Sequence, residues 1–237
     1  MKEQRYKRVL VKISGEALSG STKAGIEPAI LNGLAADIRE ITSMGVSTAL
    51  VIGAGNFFRG NMGEELGIER HTADYMGMLA TVINSLAMKE ALKKQNVPAI
   101  VMSPIAMNEI AEHYTIRSAL SMLDGGTTII AAAGTGHPYF TTDTAGALRA
   151  IELKCDVMLK ATRVDGVYTE DPEKNPAAEK IDFIPYVEVI EKQLRVLDMT
   201  CVSLCMENNL PIIVFDLFKK DSLKKISAGE KIGTLIS

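Results

Sequence analysis

Short apolar runs alternate with longer helical patterns along the whole chain. Most of the runs are continuously apolar and rich in β-branched residues, rather than alternating with polar positions. Strands of a parallel sheet that helices cover on both faces have this pattern. The runs predict strands over residues 8–13, 47–52, 99–102, 127–132, 157–160 and 211–215.

Helical periodicity fills the intervals between the runs. One predicted helix ends near Gly45, and its apolar stripe consists of Ile30, Leu31, Leu34, Ile38 and Ile41. Further helices are predicted over residues 118–123 and 144–153. The alternation predicts an α/β fold, a three-layer α/β/α sandwich with a mostly parallel central sheet. No linker rich in Pro, Gly or Ser divides the chain, so we expect one domain over residues 1–237.

The helix predicted over residues 74–94 differs from the others because both sides of its first half are apolar. One side carries Met76, Leu79 and Ile83, and the other carries Met78 and Val82. A helix that is hydrophobic all round must be covered all round. The pattern leaves two alternatives open, a central core helix and a helix buried against another subunit.

Composition excludes several classes of protein. The 237 residues are 47% hydrophobic and 23% charged, which is typical of a folded globular protein. The formal net charge of −3 disfavours a nucleic-acid binder with a broad basic face. The uncharged stretch 75–88 is shorter than the ~20 apolar residues of a membrane-spanning helix. We therefore expect no nucleic-acid partner and no membrane partner.

The cysteines and histidines indicate neither a disulfide framework nor a metal site. Three cysteines in so long a chain favour free thiols in a reducing compartment, so we expect a cytoplasmic protein. Cys201 and Cys205 lie four apart on an apolar helical pattern, which predicts buried structural thiols. His71, His113 and His137 are scattered without the spacing of metal ligands.

Candidate chemistry lies after the strands, because ligands of open α/β sheets bind beyond the carboxyl ends of the strands. Lys12 stands at the tip of the first predicted strand, with Ser14 and Gly15 behind it. A lysine there can meet phosphate oxygens, and a glycine lets backbone N–H groups approach closely; the simpler alternative is a solvated lysine. The second strand runs into loop 53–60, a Gly-rich turn followed by Arg59. This turn is either an anion-binding site or an ordinary strand-to-loop connection.

Two further loops carry polar side chains at the same edge. In loop 134–143, Thr142 or Asp143 is placed to cap the helix that begins near Thr144. The alternative is a binding loop that ends on a helix N-terminus, where an anionic ligand is favoured. After strand 157–160, Asp165 and Gly166 between apolar flanks predict a hairpin. That hairpin would place an aromatic ring and polar groups at the sheet edge, namely Thr162, Tyr168 and Asp171.

Five long segments resemble the amino acid kinase family and, within it, the bacterial uridylate kinases. The segments are 12–18, 53–60, 74–81, 134–143 and 159–168, and the likeness extends from about residue 6 to residue 236. Each segment alone is a weak signal. All five in this order make the resemblance specific.

The resemblance implies a reaction and an assembly. The reaction would transfer the γ-phosphoryl group of ATP to the phosphate of UMP, giving UDP and ADP in pyrimidine nucleotide biosynthesis. Mg²⁺ would be bound mainly through the nucleotide phosphates, with no protein ligand assigned. The family also implies a homohexamer, which would cover both sides of the helix predicted over residues 74–94, and allosteric control with GTP and UTP as effectors.

The resemblance also assigns site residues. The catalytic residues would be Lys12, Arg59 and Asp143, with Asp143 orienting Lys12 or organising the metal. ATP would lie along Lys12, Ile13, Ser14, Gly15, Gly55, Arg59, Thr162, Tyr168 and Asp171. UMP would be held by Asp74 at its ribose and by Ala54, Thr135, Gly136, His137, Pro138, Tyr139, Phe140, Thr141 and Thr142. GTP would act at Gly20, Ser21, Thr22, Lys23, Ala24 and Gly25.

One departure and two other functions accompany this interpretation. Ala54 stands where the family usually has glycine, and its methyl group is tolerable if its φ is negative. One alternative is a kinase of a carboxylate such as acetylglutamate or aspartate, which Asp74 and the Thr-rich loop disfavour. The other is a nucleotide-binding storage or regulatory protein without turnover, which the presence of Lys12, Arg59 and Asp143 disfavours.

Overall fold

The computed structural model describes residues 6–22, 24–58, 60–170, 175, 177–194 and 196–237. Strands form at the predicted apolar runs. The first two runs match their strands residue for residue, and the others differ by one or two residues at an end. The strands are β1 Arg8–Ile13, β2 Ser47–Ile52, β3 Ala99–Ser103, β4 Glu112–His113, β5 Thr128–Ala131, β6 Val157–Thr162, β7 Val167–Tyr168, β8 Lys180–Ile181, β9 Phe183–Ile184, β10 Ile212–Asp216 and β11 Thr234–Ile236.

Helices occupy the predicted intervals, although several begin earlier than expected. The helix predicted to begin at residue 74 begins at Arg70, four residues before. The helix with the apolar stripe begins with Pro28 in its first turn, a position where the missing N–H of proline has no cost. The helices are α1 Gly15–Ser19, α2 Pro28–Ser43, α3 Gly60–Glu65, α4 Arg70–Lys94, α5 Ile116–Asp124, α6 Thr142–Glu152, α7 Tyr186–Glu191, α8 Met199–Glu207 and α9 Ser222–Ser227.

The main sheet has nine strands within the described residues, in the order β4-β3-β5-β2-β1-β6-β10-β11-β9. Neighbouring strands are parallel except β10 and β11. The predicted mostly parallel sheet is therefore confirmed. Because β5, β2, β1 and β6 are adjacent and parallel, their carboxyl ends meet at one edge of the sheet.

Two hydrophobic cores fill the spaces between the sheet and the helices. Side chains along β1 alternate between them, with Val9, Val11 and Ile13 in the first core and Leu10 in the second. Side chains of α2, α4 and α9 close the first core. Those of α5, α6, α7 and α8 close the second. This arrangement confirms the three-layer α/β/α sandwich.

The predicted hairpin around Asp165 and Gly166 is wrong. β7 pairs antiparallel with β8, in a separate two-stranded ribbon, rather than with β6. The hydroxyl of Thr162 donates to the carbonyl of Val164, which turns the chain away from β6. The N–H of Val167 then donates to the hydroxyl of Thr234, on β11.

Helix α4 is covered on one side in the described chain. Met78 and Val82 are buried, whereas Met76, Leu79 and Ile83 are 37%, 55% and 50% exposed. The helix is thus not a central core helix surrounded by the described residues. None of the described helices is long and apolar enough to cross a membrane.

Both cysteines of α8 are buried in the second core and free, as predicted. A hydrogen bond to Cys205 and burial raise the pKa of Cys201. Burial also raises the pKa of Cys155 to about 12. Thiols held in this protonated state are weak nucleophiles, which agrees with a structural role.

Candidate active site

Two lysines and one aspartate meet at the carboxyl ends of β1 and β6. Lys12 and Lys160 are register partners across these parallel strands, so their side chains point to the same face of the sheet. Asp143, in the first turn of α6, lies over that face. Its Oδ1 is 2.6 Å from Nζ of Lys12, and its Oδ2 is 2.5 Å from Nζ of Lys160. We call these three residues the triad.

The triad is buried and electrostatically coupled. The side chains of Lys12, Lys160 and Asp143 are 8%, 12% and 13% exposed. Burial alone would raise the pKa of Asp143, but the two ammonium groups hold it below its ordinary value. Burial lowers the pKa of Lys160, an effect that Asp143 partly offsets. The triad therefore concentrates one net positive charge where solvent screens it little.

A glycine of α6 lies against the side chains of the two strands. A Cβ at Gly146 would lie 2.9 Å from Cε of Met158, on β6, and 3.4 Å from Cγ of Lys12. Cε is the flexible end of the methionine, so Met158 would have to shift by a few tenths of an ångström to admit a larger residue. Gly146 thus lets the methionine and the stem of Lys12 pack directly against α6.

Backbone contacts join the ends of β1 and β2 in what we call the glycine turn, residues 14–15 and 53–56. The N–H of Gly53 donates to the carbonyl of Ile13, and Ser14 caps α1 by accepting from the N–H of Ala17. A Cβ at Gly15 would lie 2.5 Å from the nitrogen of Gly55, so only glycine allows this approach. The side chain of Ile13 points into the core rather than toward a ligand.

Ala54 does not strain the glycine turn. The backbone angle φ of Ala54 is not positive, so its methyl group is tolerated. Its carbonyl accepts from the N–H groups of Phe57 and Phe58, which closes the turn.

A fully buried pair of amides supports the turn from behind. One amide belongs to Asn56, in the glycine turn, and the other to Asn84, on α4. Each donates to the side-chain oxygen of the other, at 3.0 and 2.8 Å respectively. The second hydrogen of each amide reaches a backbone carbonyl, of Gly25 and Gly53 respectively. The pair thus fixes the glycine turn to α4 and to the segment predicted to bind GTP, of which Lys23 lies outside the described residues.

A cavity of about 290 Å³ lies next to Thr142, the residue that precedes Asp143 of the triad. Its floor is α4, and one wall is the segment that follows β5, residues 134–141, which we call the polar loop. Seven of the residues predicted to hold UMP line it: Ala54, Asp74, Thr135, His137, Phe140, Thr141 and Thr142. Gly136, Pro138 and Tyr139 belong to the same loop but do not line the cavity. Sequence reasoning missed other lining residues, chiefly Phe58, Arg70 and Thr81.

Asp74 anchors the polar loop as well as lining the cavity. Its Oδ2 accepts from the N–H of Tyr139 at 2.7 Å, and both its oxygens lie 3.0 Å from Nε of Arg70. Tyr139 has φ of 72°, a left-handed conformation that is strained for a tyrosine. The contact with Asp74 holds the backbone in that conformation.

The N-cap prediction for α6 is wrong by one residue. The helix begins at Thr142, and Thr141 caps it by accepting from the N–H groups of Asp143 and Thr144. Four polar residues in a row left the capping position ambiguous in the sequence. Asp198 reinforces the cap, because its carboxylate accepts from the hydroxyls of Thr141 and Thr144 at 2.5 and 2.7 Å.

Lys160 and Asp198 are candidate site residues that sequence reasoning did not single out. Lys160 had a readable signal, a lysine at the tip of an apolar strand like Lys12. Its role depends on the register between β1 and β6, which no local pattern contains. Asp198 before the apolar α8 has the position of an N-cap, and its side chain accepts from Cys201 N–H. Its contact with α6 spans more than 50 residues of sequence.

Two of the remaining predicted residues, Thr162 and Tyr168, lie at the end of β6 and in the β7–β8 ribbon. The hydroxyl of Thr162 donates to backbone carbonyls of Val164 and Phe215. The hydroxyl of Tyr168 donates to Asp165 at 2.6 Å. Arg59 and Asp171 lie outside the described residues.

A direct protein ligand for Mg²⁺ does not fit the triad. Each carboxylate oxygen of Asp143 already faces an ammonium group. In the described residues, no group of three His, Cys, Asp or Glu side chains is placed to hold a metal ion. Of the two predicted roles of Asp143, the geometry favours orienting Lys12.

An α/β sandwich with a buried cationic site and a polar cavity, at the carboxyl edge of its sheet, is the architecture of a phosphate-binding enzyme. A profile of the amino acid kinase family matches residues 7–216. The chain belongs to the amino acid kinase family.

Similar proteins cover almost the whole chain. It is 50% identical to a uridylate kinase of Pseudomonas paraeruginosa over 99% of this chain and 96% of the relative. It is 49% identical to a uridylate kinase of Legionella pneumophila over 98% of this chain and 94% of the relative. A crystal structure of UMP kinase from Bacillus anthracis superposes with a TM-score of 0.95 at 39% identity, covering 98% of this chain and 96% of that one.

Proposed function

We propose that the protein is a UMP kinase, which transfers the γ-phosphoryl group of ATP to UMP and gives UDP and ADP. The similarity to uridylate kinases over nearly the full length supports this reaction. One structural observation carries the proposal, namely that Thr142, which lines the cavity, directly precedes Asp143 of the triad in the chain. We infer that the product enters pyrimidine nucleotide biosynthesis in the cytoplasm.

The triad meets the needs of phosphoryl transfer. The reaction requires two anionic substrates held in line and neutralisation of the charge that spreads over the transferring group. Lys12 and Lys160 supply two ammonium groups on one face of the sheet, and Asp143 fixes their positions. A general base is unnecessary because the acceptor phosphate of UMP is already an anion. Asp143 thus acts by orienting the lysines.

The cavity is the proposed acceptor site. Asp74 would accept hydrogen bonds from the ribose hydroxyls of UMP while Arg70 and the backbone of Tyr139 hold its carboxylate in place. The hydroxyl of Thr142 would donate and accept at the base or the phosphate, and that of Thr135 would accept there. Adjacency of Thr142 to Asp143 would bring the acceptor phosphate to the lysines.

The glycine turn is the proposed donor site. The backbone of Gly15 and Gly55 would lie along the ATP phosphates, with Lys12 reaching the γ-phosphate and the adenosine near Thr162 and Tyr168. Arg59 and Asp171 complete this proposal from the sequence alone. Mg²⁺ would arrive on the ATP phosphates and neutralise charge there when bound.

We further propose a homo-oligomer, as the family resemblance implies. Support comes from the outer side of α4, where Met76, Leu79 and Ile83 form an apolar stripe that the described chain leaves exposed. A second copy covering this stripe would satisfy the doubly apolar pattern of the helix. Hexamer formation and control by GTP or UTP stay predictions of the resemblance.

An ADP-release assay tests the function directly. ATP with Mg²⁺ is offered with UMP, CMP, dTMP, acetylglutamate or aspartate as acceptor. We expect turnover with UMP to exceed that with every other acceptor. Preference for a carboxylate would establish the alternative kinase, and binding of ATP without ADP release to any acceptor would establish a regulatory binder.

A further inference from the structure

A buried arginine stands directly behind the polar loop. The side chain of Arg149, on α6, is 4% exposed, and its guanidinium lies 4.0 Å from the centroid of the Tyr114 ring. Its Nη1 is 2.6 Å from Oε2 of Glu152, which also accepts from the hydroxyl of Tyr114 at 2.8 Å. Its Nη2 donates to the carbonyl of Gly134 at 3.3 Å. The Tyr114 ring thus contacts the face of the guanidinium, while Glu152 and the carbonyl of Gly134 bind its edge.

The carbonyl that Arg149 binds belongs to the residue where the chain leaves β5 for the polar loop. Ala133 and Gly134 both have φ of 57°, so two successive residues are in the left-handed region. Glycine adopts this region freely, but an alanine is strained there. The N–H of Ala133 donates to the hydroxyl of Thr81, on α4, at 2.8 Å. Side chains from both helical layers therefore hold the bend at the base of the loop.

Stability alone gives a poor reason for this arginine. Burying a charged pair costs desolvation, and an apolar side chain of similar volume often stabilises a core as well or better. Nε of Arg149 is buried and has no hydrogen-bond partner among the described residues. A planar fork that reaches a carboxylate and a carbonyl while stacking on a ring is a geometry that only arginine provides.

We propose that Arg149 is a positioning residue for the acceptor nucleotide. By holding the carbonyl of Gly134, it fixes the direction in which the polar loop leaves the sheet, and hence the placement of Thr135, His137 and Phe140 around UMP. Tyr114 and Glu152 hold the guanidinium in place for this contact. The inference rests on the proposed function, because it concerns the UMP site.

The test compares two conservative variants in the same steady-state assay. Arg149→Lys keeps the charge but loses the fork, and we expect the KM for UMP to rise ~10-fold, the effect of losing a charged hydrogen bond. We expect the KM for ATP to change less than about twofold, since the glycine turn is untouched.

Arg8→Lys is the matched control. Arg8 also donates to a backbone carbonyl, of Leu153 at 2.8 Å, and pairs with a carboxylate, of Asp124 at 2.6 Å. These contacts lie at the amino end of β1, away from the polar loop. We expect Arg8→Lys to lower Tm without changing either KM.

A parallel rise of both KM values in Arg149→Lys, or no rise in either, would overturn the positioning role. If Arg149→Lys does not fold, Tyr114→Leu removes the stacking ring and leaves α6 intact, and the same selective rise in the KM for UMP is expected. Absence of UMP turnover in the unaltered protein would overturn the proposed function and this inference with it. UMP turnover with no selective effect in either variant would overturn the inference alone.

Discussion

The glycine turn and the polar loop both reach the cavity beside α4, but they are held by different means. In the glycine turn, backbone packs on backbone, and a Cβ at Gly15 would lie 2.5 Å from a neighbouring nitrogen. In the polar loop, Tyr139 is 67% exposed and Phe140 is 50% exposed, and side chains from other elements hold the backbone. Asp74 is one of these side chains, through the N–H of Tyr139.

This difference determines which substitutions the glycine turn and the polar loop can each tolerate. A turn built from contacting backbones has no room for a new side chain, because packing there is already at its limit. A loop held by side chains can be reshaped by substituting one of them, with the strands left in place. We therefore expect substitutions in the glycine turn to act on both folding and turnover, and substitutions around the polar loop to act selectively on one substrate.

The largest effect is expected from substitutions in the triad, which belongs neither to the glycine turn nor to the polar loop. Lys12→Met keeps an apolar stem against Gly146 but removes the charge, so we expect kcat to fall by ~10²–10³ with both KM values little changed. Lys160→Met should act in the same way. Lys192→Met, which removes an exposed ammonium that pairs with Glu188, is the control. Steady-state kinetics with turnover within tenfold of the unaltered protein would contradict the assigned role.

Gly15→Ala tests the claim that the glycine turn admits no side chain. The added methyl group must displace the backbone of Gly53 or Gly55, so we expect a loss of ~1–3 kcal/mol in unfolding free energy and a ~10-fold rise in the KM for ATP. Gly33→Ala, in α2, is the matched control because its Cβ would meet open space. Urea unfolding and initial rates measure the two effects. An unchanged KM for ATP would show that the turn adapts.

Asp74→Asn tests the claim that side chains hold the polar loop. The substitution removes the charge that pairs with Arg70 and accepts from the backbone of Tyr139, so we expect a ~10-fold rise in the KM for UMP. The KM for ATP should stay within about twofold. Asp124→Asn, at the opposite end of the sheet, is the control. Equal effects on both substrates would mean that the turn and the loop are not separately held.

Asp37→Asn gives the smallest effect and should leave the turn and the loop untouched. Burial and the neighbouring Glu40 raise the pKa of Asp37, on α2, to about 6. The folded state therefore holds this proton more tightly than the unfolded state does. The protonated carboxyl group contributes fully to folding stability below about pH 4, and this contribution is lost as the pH rises through about 6. At pH 7.5 the variant should be more stable by ~1 kcal/mol, with no gain at pH 4. Thermal unfolding at both pH values measures the two stabilities. Equal gains in stability at pH 4 and pH 7.5 would contradict the raised pKa of Asp37.

The strands were predictable because burial on both faces makes them continuously apolar. β1 and β2 were therefore bounded correctly, and the loops that follow them were placed at the correct edge. The hairpin prediction failed because a local Asp–Gly signal competes with pairing to a strand that lies 12 residues further on. Turn chemistry alone does not decide such a competition.

Candidate site residues can be predicted from the sequence where a single segment contains the signal. Lys12 and the polar loop are of this kind, since their chemistry follows directly from a strand end. The roles proposed for Asp198, Lys160 and Arg149 depend on contacts between separate segments of the chain. Their identity depends on strand register and helix packing, which only the folded chain defines.

The register of β1 against β6 also constrains how this gene can change in length. Lys12 and Lys160 face α6 only because they are partners in that register. Deleting a single codon from either strand would rotate its lysine to the opposite layer, against α2 or α9, and place an aliphatic residue in the triad. Insertions and deletions should therefore accumulate in the surface connections of such proteins, while residues 8–13 and 157–162 keep a constant length.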